Sequence, residues 1–560
     1  VPETTNARKV QFPAIVKKME LVGRDPQSPG FSSFFHCSIP FLFETVHQDQ
    51  VSMHDLHSKN PERSPAMKNK PAIDLNAIAW DVMRKYGFEP QFSKAVLREV
   101  NAIDENRARR NQKEEKDLRM LLWSSIDNFD SMDLDQLEFC ERGEGGEIRI
   151  RVAIADVDLY VTLDSETDRF AGHNGTSVYL GIRTFPMLPE RLSHDISSLL
   201  PGKDRNAIVI EYTVQPDGDV VHGDIYRAFV RNKAKLVYEE VGDWLEGTRP
   251  IPDTIAGVPG LEEQVRLQDE AARRLRKFRM EHGALDLDTL EAQAIVQDGA
   301  VRDLAVQVEN RARSLIEEFM VAANGTMVNR LSDAVVPMIQ RIVRIPKHWD
   351  GIVETAAAYG ETLPSDPDSK ALARFLDMRK EADPDRFPDL SLTVVKLMGP
   401  GEYVPFVPGD VPIGHFALAV LDYTHSTAPN RRYVDVVNQR QIKAVLDGRN
   451  SPYSPHKLTA ISSWLTDREK ASQKAERFMR KAAAAQLLRD RIGDLFDALV
   501  TGAAEKGTYV RLVSPPAEGR VIRGERGLRV GQKVRVRLLR TDPYKGFIDF
   551  ERVGKKMEYN

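Results

Sequence analysis

The hydrophobic periodicity of this 560-residue chain changes three times, and each change demands a different kind of core. A chain of that length is expected to hold several cores. From Ile73 the spacing is helical. Asp74 can cap a run with Leu75, Ile78, Ala79, Val82 and Met83 on one face, and Gly87 follows as a stop. Ser93 can cap a second run carrying Val96, Leu97, Val100 and Ile103. The pair fits either a helix-turn-helix nucleic-acid reader or a docking hairpin, and its second helix is not clearly basic. Between residues 117 and 246 the spacing becomes that of strands. The run Glu147-Ile-Arg-Ile-Arg-Val-Ala-Ile-Ala155 alternates and then turns continuously apolar, as a strand entering a core does. Residues 207–221 read as a hairpin turning at Asp217-Gly218. Helices dominate from Leu261, over 264–280, 310–324 and 454–495. Residues 495–553 hold five short strand-like runs, including Tyr509-Val-Arg-Leu-Val513, which fit a small OB-type barrel.

The expected fold class is therefore α+β and multidomain. A helical hairpin occupies residues 69–116, whose charged stretch 106–116 is a linker or solvated helix. A mixed α/β domain follows over 117–492 and an OB-fold barrel over 493–560. Residues 1–68 form a poorly defined extension, and Met67 is an alternative start. With 41% hydrophobic and 29% charged residues, the composition is that of an ordinary globular protein. The net charge of −4 hides an asymmetry, because residues 493–560 carry fourteen Lys/Arg against nine Asp/Glu. Cys37 and Cys140 are the only cysteines, which excludes a disulfide framework and a cysteine zinc site and points to a reducing, cytoplasmic setting. The apolar run at residues 31–46 is broken by His36, Cys37 and Pro40, too short and polar for a membrane span.

Function concentrates in Ile126-Asp-Asn-Phe-Asp-Ser-Met-Asp-Leu-Asp-Gln136, where Asp127, Asp130, Asp133 and Asp135 stand with no Lys or Arg among them. Crowded carboxylates repel unless a cation joins them, and a hard divalent metal suits oxygen donors best. An EF-hand loop starting at Asp127 would have Glu138 at its twelfth position. It fails at the third, fifth and sixth, which are Phe129, Ser131 and Met132. A solvated acidic turn remains the plain alternative for this stretch alone.

The surroundings decide between them. Asp127 ending an apolar strand, then Asp133 and Asp135, resembles the acidic signature of the ribonuclease II family, whose catalytic domain is called RNB. Ile154-Ala-Asp-Val157, Gly175-Thr-Ser-Val-Tyr-Leu180, Phe185-Pro-Met-Leu-Pro-Glu-Arg-Leu-Ser193 and Ser197-Ser-Leu-Leu-Pro-Gly202 resemble consecutive motifs of that family. Ala234-Lys-Leu-Val-Tyr-Glu-Glu240, His415-Phe-Ala-Leu-Ala419 and Tyr423-Thr-His-Ser-Thr-Ala-Pro-Asn-Arg-Arg-Tyr433 continue the order. The barrel-like tail resembles the family's S1 domain. The helical amino-terminal part does not share the resemblance, since the family often has cold-shock barrels there.

The resemblance implies processive, magnesium-dependent hydrolysis of single-stranded RNA from a free 3′ end to nucleoside 5′-monophosphates. Two Mg²⁺ ions are expected, with Mn²⁺ as a substitute. Asp127, Asp133 and Asp135 match metal-ligand positions, and Gln136 stands where the family has a final Asp. Asp130 is a candidate to compensate. Asp135, Arg431, Tyr179 and Glu476 match catalytic positions. Glu476 alone would read as an i,i+4 partner of Arg480. Tyr238 is expected to stack on the 3′-terminal bases, with Leu287 where the family often has a clamping Phe. Arg432, Arg511 and Arg535 are expected along the RNA path, and His425 is a structural or phosphate-path residue. The partners implied are single-stranded RNA and duplexes with a 3′ overhang, bound by a monomer away from membranes. The competing reading, motivated by Gln136, is a catalytically impaired RNA-binding or regulatory protein.

Overall fold

The computed structural model describes residues 73–105, 115–288, 292–297, 300–306, 309–384, 386–504 and 507–554. The expectations for residues 1–68 and for most of the charged linker lie outside these residues.

The centre is a seven-stranded mixed sheet. Its strands are β1 (Lys116–Asp117), β2 (Ser124–Asp127), β3 (Gln136–Arg142), β4 (Ile148–Ala155), β7 (Asp204–Val214), β8 (Val220–Arg231) and β9 (Ala234–Val237), with β5 (Val178–Tyr179) and β6 (Thr184–Phe185) pairing separately. Its order is β1-β8-β7-β4-β3-β2-β9, antiparallel except at β1/β8 and β2/β9. Both faces of β4 are covered, which explains its continuous apolar end. Ile150, Val152 and Ile154 enter one cluster, while Ala153 and Ala155 enter another on the opposite face. Helices α4 (Tyr238–Leu245), α6 (Leu261–Glu281) and α7 (Arg311–Asp333) cover the first face; α5 (Asp253–Ala256) is a short turn between them. Helix α3 (Glu166–Asn174) and the start of α11 (Tyr433–Leu446) cover the second.

Helices α1 (Leu75–Lys85) and α2 (Lys94–Asn101) form where their caps predict. The side chains of Asp74 and Ser93 accept from the Ala77 and Val96 amides. They dock into different clusters. Helix α1 packs on α12 (Pro455–Leu487), and α2 packs with α3. Arg468 of α12 holds the intervening turn through the Tyr86 and Gly87 carbonyls. Both helices of the hairpin thus dock on the body of the protein.

Helix α12 stops at Leu487, short of the expected 495. The helical region also contains strand pairs that its periodicity did not announce: β10 (Ala292–Gln297) with β11 (Ala300–Val306), and β12 (Met338–Ile342) with β13 (Glu402–Phe406). Helices α8 (Trp349–Ala358), α9 (Ser369–Ala382) and α10 (Phe387–Met398) enclose a further cluster, against which Leu285 and Leu287 pack. Five strands close the carboxy-terminal barrel, as expected: β14 (Leu495–Ala504), β15 (Gly507–Leu512), β16 (Glu518–Arg523), β17 (Lys533–Asp542) and β18 (Phe547–Arg552). Its interior joins Ala475, Ala482 and Ala485 of α12 and Leu75 and Ile78 of α1 in one cluster.

Candidate active site

The acidic loop is built by short local bonds. Asp127 closes β2, and its Oδ1 accepts from the Asn128 amide and from Ser131 Oγ, both at 2.7 Å. Such a side-chain-to-backbone bond is how an Asp ends a strand in a turn. Ser198 Oγ donates to the Met132 carbonyl at 2.6 Å and accepts from the Leu134 amide at 3.0 Å. The missing cation arrives from the neighbouring strand. Ser125 of β2 lies in register with Lys235 of β9, whose Nζ donates to the Phe129 and Ser131 carbonyls at 2.6 Å each. Asp127, Asp130 and Asp133 oppose the loss of the Lys235 charge, but burial outweighs them and lowers its pKa. The absence of Lys and Arg from the acidic stretch therefore does not mean an absence of cations from the site.

Asp135 immediately precedes β3 and is 1% exposed. Its Oδ1 accepts from the Asn430 amide at 2.9 Å. Its Oδ2 lies 3.3 Å from Arg431 Nε without hydrogen-bond alignment. The segment that delivers Arg431 is fixed from two sides. The Ser177 amide and Thr176 Oγ1 donate to the Arg431 carbonyl at 2.9 and 3.0 Å, and the Tyr433 amide donates to the Gly175 carbonyl at 3.0 Å. Ser197 Oγ donates to Asn430 Oδ1 at 2.7 Å. The motifs around residues 175, 197 and 430 thus meet, and their meeting puts an arginine beside the aspartates.

Burial pushes the Asp135 carboxyl up to about 8 despite the opposing Arg431 charge, and Asp133 adds to the rise. Asp133 is raised by burial and by Asp127, against Arg431. Burial also raises the Tyr179 phenol, whose hydroxyl sits in the field of Asp133, Arg431 and Asp135. For Arg431, burial opposes the charge, and Tyr179, Asp135, Asp133 and Asp127 more than restore it. These mutual effects place Asp133, Asp135, Tyr179 and Arg431 in one electrostatic unit, with Asp127 at its edge.

Two observations fit this donor set to a hard divalent cation. Asp135 Oδ2 is buried without a hydrogen bond, and burial holds the Asp133 and Asp135 carboxyls raised even against the Arg431 charge. Among the described residues no three carboxylate, imidazole or thiolate groups are already gathered as a ligating set. Gln136 opens β3 opposite Ile154 and is buried. Asp130 is exposed on the turn, raised by burial of its surroundings and offset by Lys235.

The other expected residues are spread through the fold. Tyr238 is 1% exposed and packed in the sheet's core, with the Arg313 guanidinium 4.5 Å from its ring centroid. Leu287 packs beside the α8–α10 cluster. Arg432 is bound at 2.9 and 2.8 Å to the buried carboxylate of Asp435. Arg511 pairs with Asp389 at 2.8 Å across the cleft between barrel and helices, whereas Arg535 is exposed on β17. Glu476 accepts from Ser472 Oγ at 2.7 Å, one turn back on α12. His425 Nδ1 is 2.9 Å from the Tyr403 hydroxyl, and burial lowers its pKa. Asn430 and Lys235 were not singled out from the sequence. Both lie inside motifs that were, so the signal for them was adjacency.

The chain is similar to known proteins over most of its length. The RNB domain family matches residues 115–448, and the RNase II-type exonuclease C-terminal S1 domain matches residues 494–553. Ribonuclease R of Thermotoga maritima is 29% identical across 89% of this chain and 74% of its own length. Ribonuclease R of Escherichia coli is 30% identical across 75% of this chain but only 52% of its own. The apo form of Mycoplasma genitalium RNase R superposes with a TM-score of 0.76 at 22% identity, covering 86% of this chain and 78% of that one. Yeast Ssd1, a pseudonuclease, superposes at 0.59 with 16% identity, covering 80% and 55%. These two superpositions speak to fold alone. The family match spans more than half of the sequence, and the chain belongs to the RNB family of exoribonucleases, with that family's ribonuclease II-type carboxy-terminal S1 domain.

Proposed function

We propose that this protein hydrolyses single-stranded RNA processively from its 3′ end to nucleoside 5′-monophosphates, using two Mg²⁺ ions for which Mn²⁺ substitutes. The observation that carries the reading is the approach of Arg431 Nε to within 3.3 Å of the buried, incompletely bonded Asp135 carboxylate. Asp127, Asp133 and Asp135 would hold the ions, with the Gln136 amide oxygen as a weaker, uncharged contributor. The chemistry that bound divalent ions supply is charge neutralisation at the phosphoryl group and activation of a water. Arg431 supplies a fixed guanidinium for the charge that grows on the phosphoryl oxygens, with a planar geometry lysine cannot copy. The Tyr179 hydroxyl, held un-ionised, donates a hydrogen bond toward the same oxygens. Arg432, tied to Asp435, positions the segment that carries Arg431.

The exposed cations of the barrel, Arg535 among them, supply the sequence-independent backbone attraction expected of a protein that processes many RNAs. M. genitalium RNase R has been captured with single-stranded and with double-stranded RNA. We extend this to duplexes with a 3′ overhang as substrates here. The protein is taken to work as a cytoplasmic monomer. Among the described residues no helix is long and apolar enough to cross a membrane, and Cys140 is buried and unpaired. The impaired-protein reading rested on Gln136 alone and is not favoured beside relatives named ribonuclease R. The deciding assay is a 3′-tailed RNA incubated with magnesium. Stepwise release of mononucleotides is expected, whereas internal cuts, or DNA degraded equally well, would overturn the proposal.

A further inference from the structure

Gln136 brings no charge to the acidic centre, yet a carboxylate stands two residues further along the same strand. Strand alternation puts Gln136 and Glu138 on one face of the sheet. They pair with Ile154 and Val152 of β4, whose side chains enter the cluster under α4, α6 and α7. Glu138 is fully buried, and neither of its carboxylate oxygens has a hydrogen-bond partner among the described residues. A buried carboxylate ordinarily has donors or a cation, because the interior solvates charge poorly. Its neighbours offer neither. Ser124 of β2 lies directly across from it, and the Ser124 hydroxyl is itself buried without a partner. Gln268 of α6 donates a long 3.5 Å bond to the Glu138 carbonyl, and the Gln268 Oε1 is unmatched. The charged side chain whose field reaches Glu138 is Asp127, another acid. Buried oxygens without a hydrogen bond thus gather at Ser124, Asn128, Asp135 and Glu138, along β2 and the start of β3.

We propose that Glu138 is a further carboxylate ligand of the divalent-metal centre, supplying the charge that the Gln136 amide lacks. This inference deepens the exoribonuclease reading and rests on its metal centre. Mg²⁺ and Mn²⁺ select oxygen donors, and affinity rises with the number of charged ligands. A glutamate stem is one methylene longer than that of aspartate, which suits a position set deeper along the strand.

The test measures Mn²⁺ binding to the full chain by electron paramagnetic resonance, without RNA. It compares the parent, Glu138→Gln, and Glu138→Gln combined with Gln136→Asp. Glu138→Gln keeps the shape of the side chain and removes its charge, and should weaken Mn²⁺ binding about ten- to a hundredfold. Adding Gln136→Asp should bring the affinity back to within about threefold of the parent. Without metal, Glu138→Gln should melt no lower than the parent, because an unpaired buried acid is gone. Added Mn²⁺ should then raise its melting temperature less than it raises the parent's. Mn²⁺ affinity of Glu138→Gln within twofold of the parent overturns the assignment, since a glutamate that is only a protonated core residue is copied by its amide isostere. A combined variant that binds no more tightly than Glu138→Gln overturns it too. Should Glu138→Gln fail to fold, crystals of the parent soaked in Mn²⁺ decide the matter. An anomalous peak within about 2.4 Å of a Glu138 oxygen is expected, and a peak held by other residues alone, or none, overturns the proposal. Mononucleotide release by the parent is scored in parallel. Its absence counts against the proposed reaction, whereas an active parent with unaffected Mn²⁺ binding in Glu138→Gln counts against Glu138 alone.

Discussion

Asp135 is buried beside Asp133 and Arg431, and its behaviour is open to direct measurement. In the metal-free protein its carboxyl holds a proton up to about pH 8, against an ordinary value of 3.8. A folded-state pKa raised above the unfolded value gives stability that is fully present below pH 3.8 and lost as pH rises toward 8. Asp135→Asn cannot ionise, so its melting temperature relative to the parent should climb between pH 4 and 8 and level off above. A flat difference across that window would show that Asp135 is already charged without metal. The same substitution should abolish hydrolysis while leaving RNA binding largely intact; turnover within threefold of the parent would count against the site. Arg431→Lys retains charge but loses the planar donor, and kcat is expected to fall by about two to three orders of magnitude. Gln136→Asp returns a carboxylate, and Mn²⁺ titration should show tighter binding than in the parent.

At the scale of elements, the site depends on how the sheet is covered. Tyr212 of β7 donates its hydroxyl to the Phe319 carbonyl of α7 at 3.1 Å, and the Phe319 side chain is fully buried under the sheet. Phe319→Ala should cost about 3–5 kcal/mol in denaturant unfolding, the toll of a cavity in a close-packed core. The barrel is not a detachable module either. Alanines along α12 let the helix sit close against barrel residues such as Val536 and Phe550, in a cluster that also includes α1. Removing residues 493–560 should therefore lower the melting temperature of the remainder as well as weaken RNA binding. An unchanged melting temperature would mean that the shared cluster contributes nothing to the stability of the catalytic domain. Periodicity revealed most of these elements because each buries a stripe of regular spacing. It missed β10–β13, whose partners lie elsewhere in the chain or in an irregular hairpin, and it overran the end of α12.

For the whole molecule, charge is divided between a buried acidic centre and an exposed basic barrel. Affinity for single-stranded RNA should fall linearly on a logarithmic salt scale. Arg535→Ala should reduce that slope by about 0.7, the share of one phosphate contact on a single strand. An unchanged slope would place Arg535 off the RNA path. The sequence by itself determined most of the helices and central strands, the apolar end of β4, the closing barrel and the family to which the acidic stretch belongs. Those features rest on spacing and on runs of neighbouring residues, which local backbone geometry reads directly. Only the tertiary structure decided which of two adjacent arginines faces Asp135 and which is tied to Asp435. It alone showed that Lys235 supplies the cation missing from the acidic stretch, and that Tyr238 is covered while Phe129 is not. The physical reason is separation along the chain: Asn430 meets Asp135 across 295 residues. No local pattern encodes such a contact, because it exists only once the sheet and its covering helices have packed.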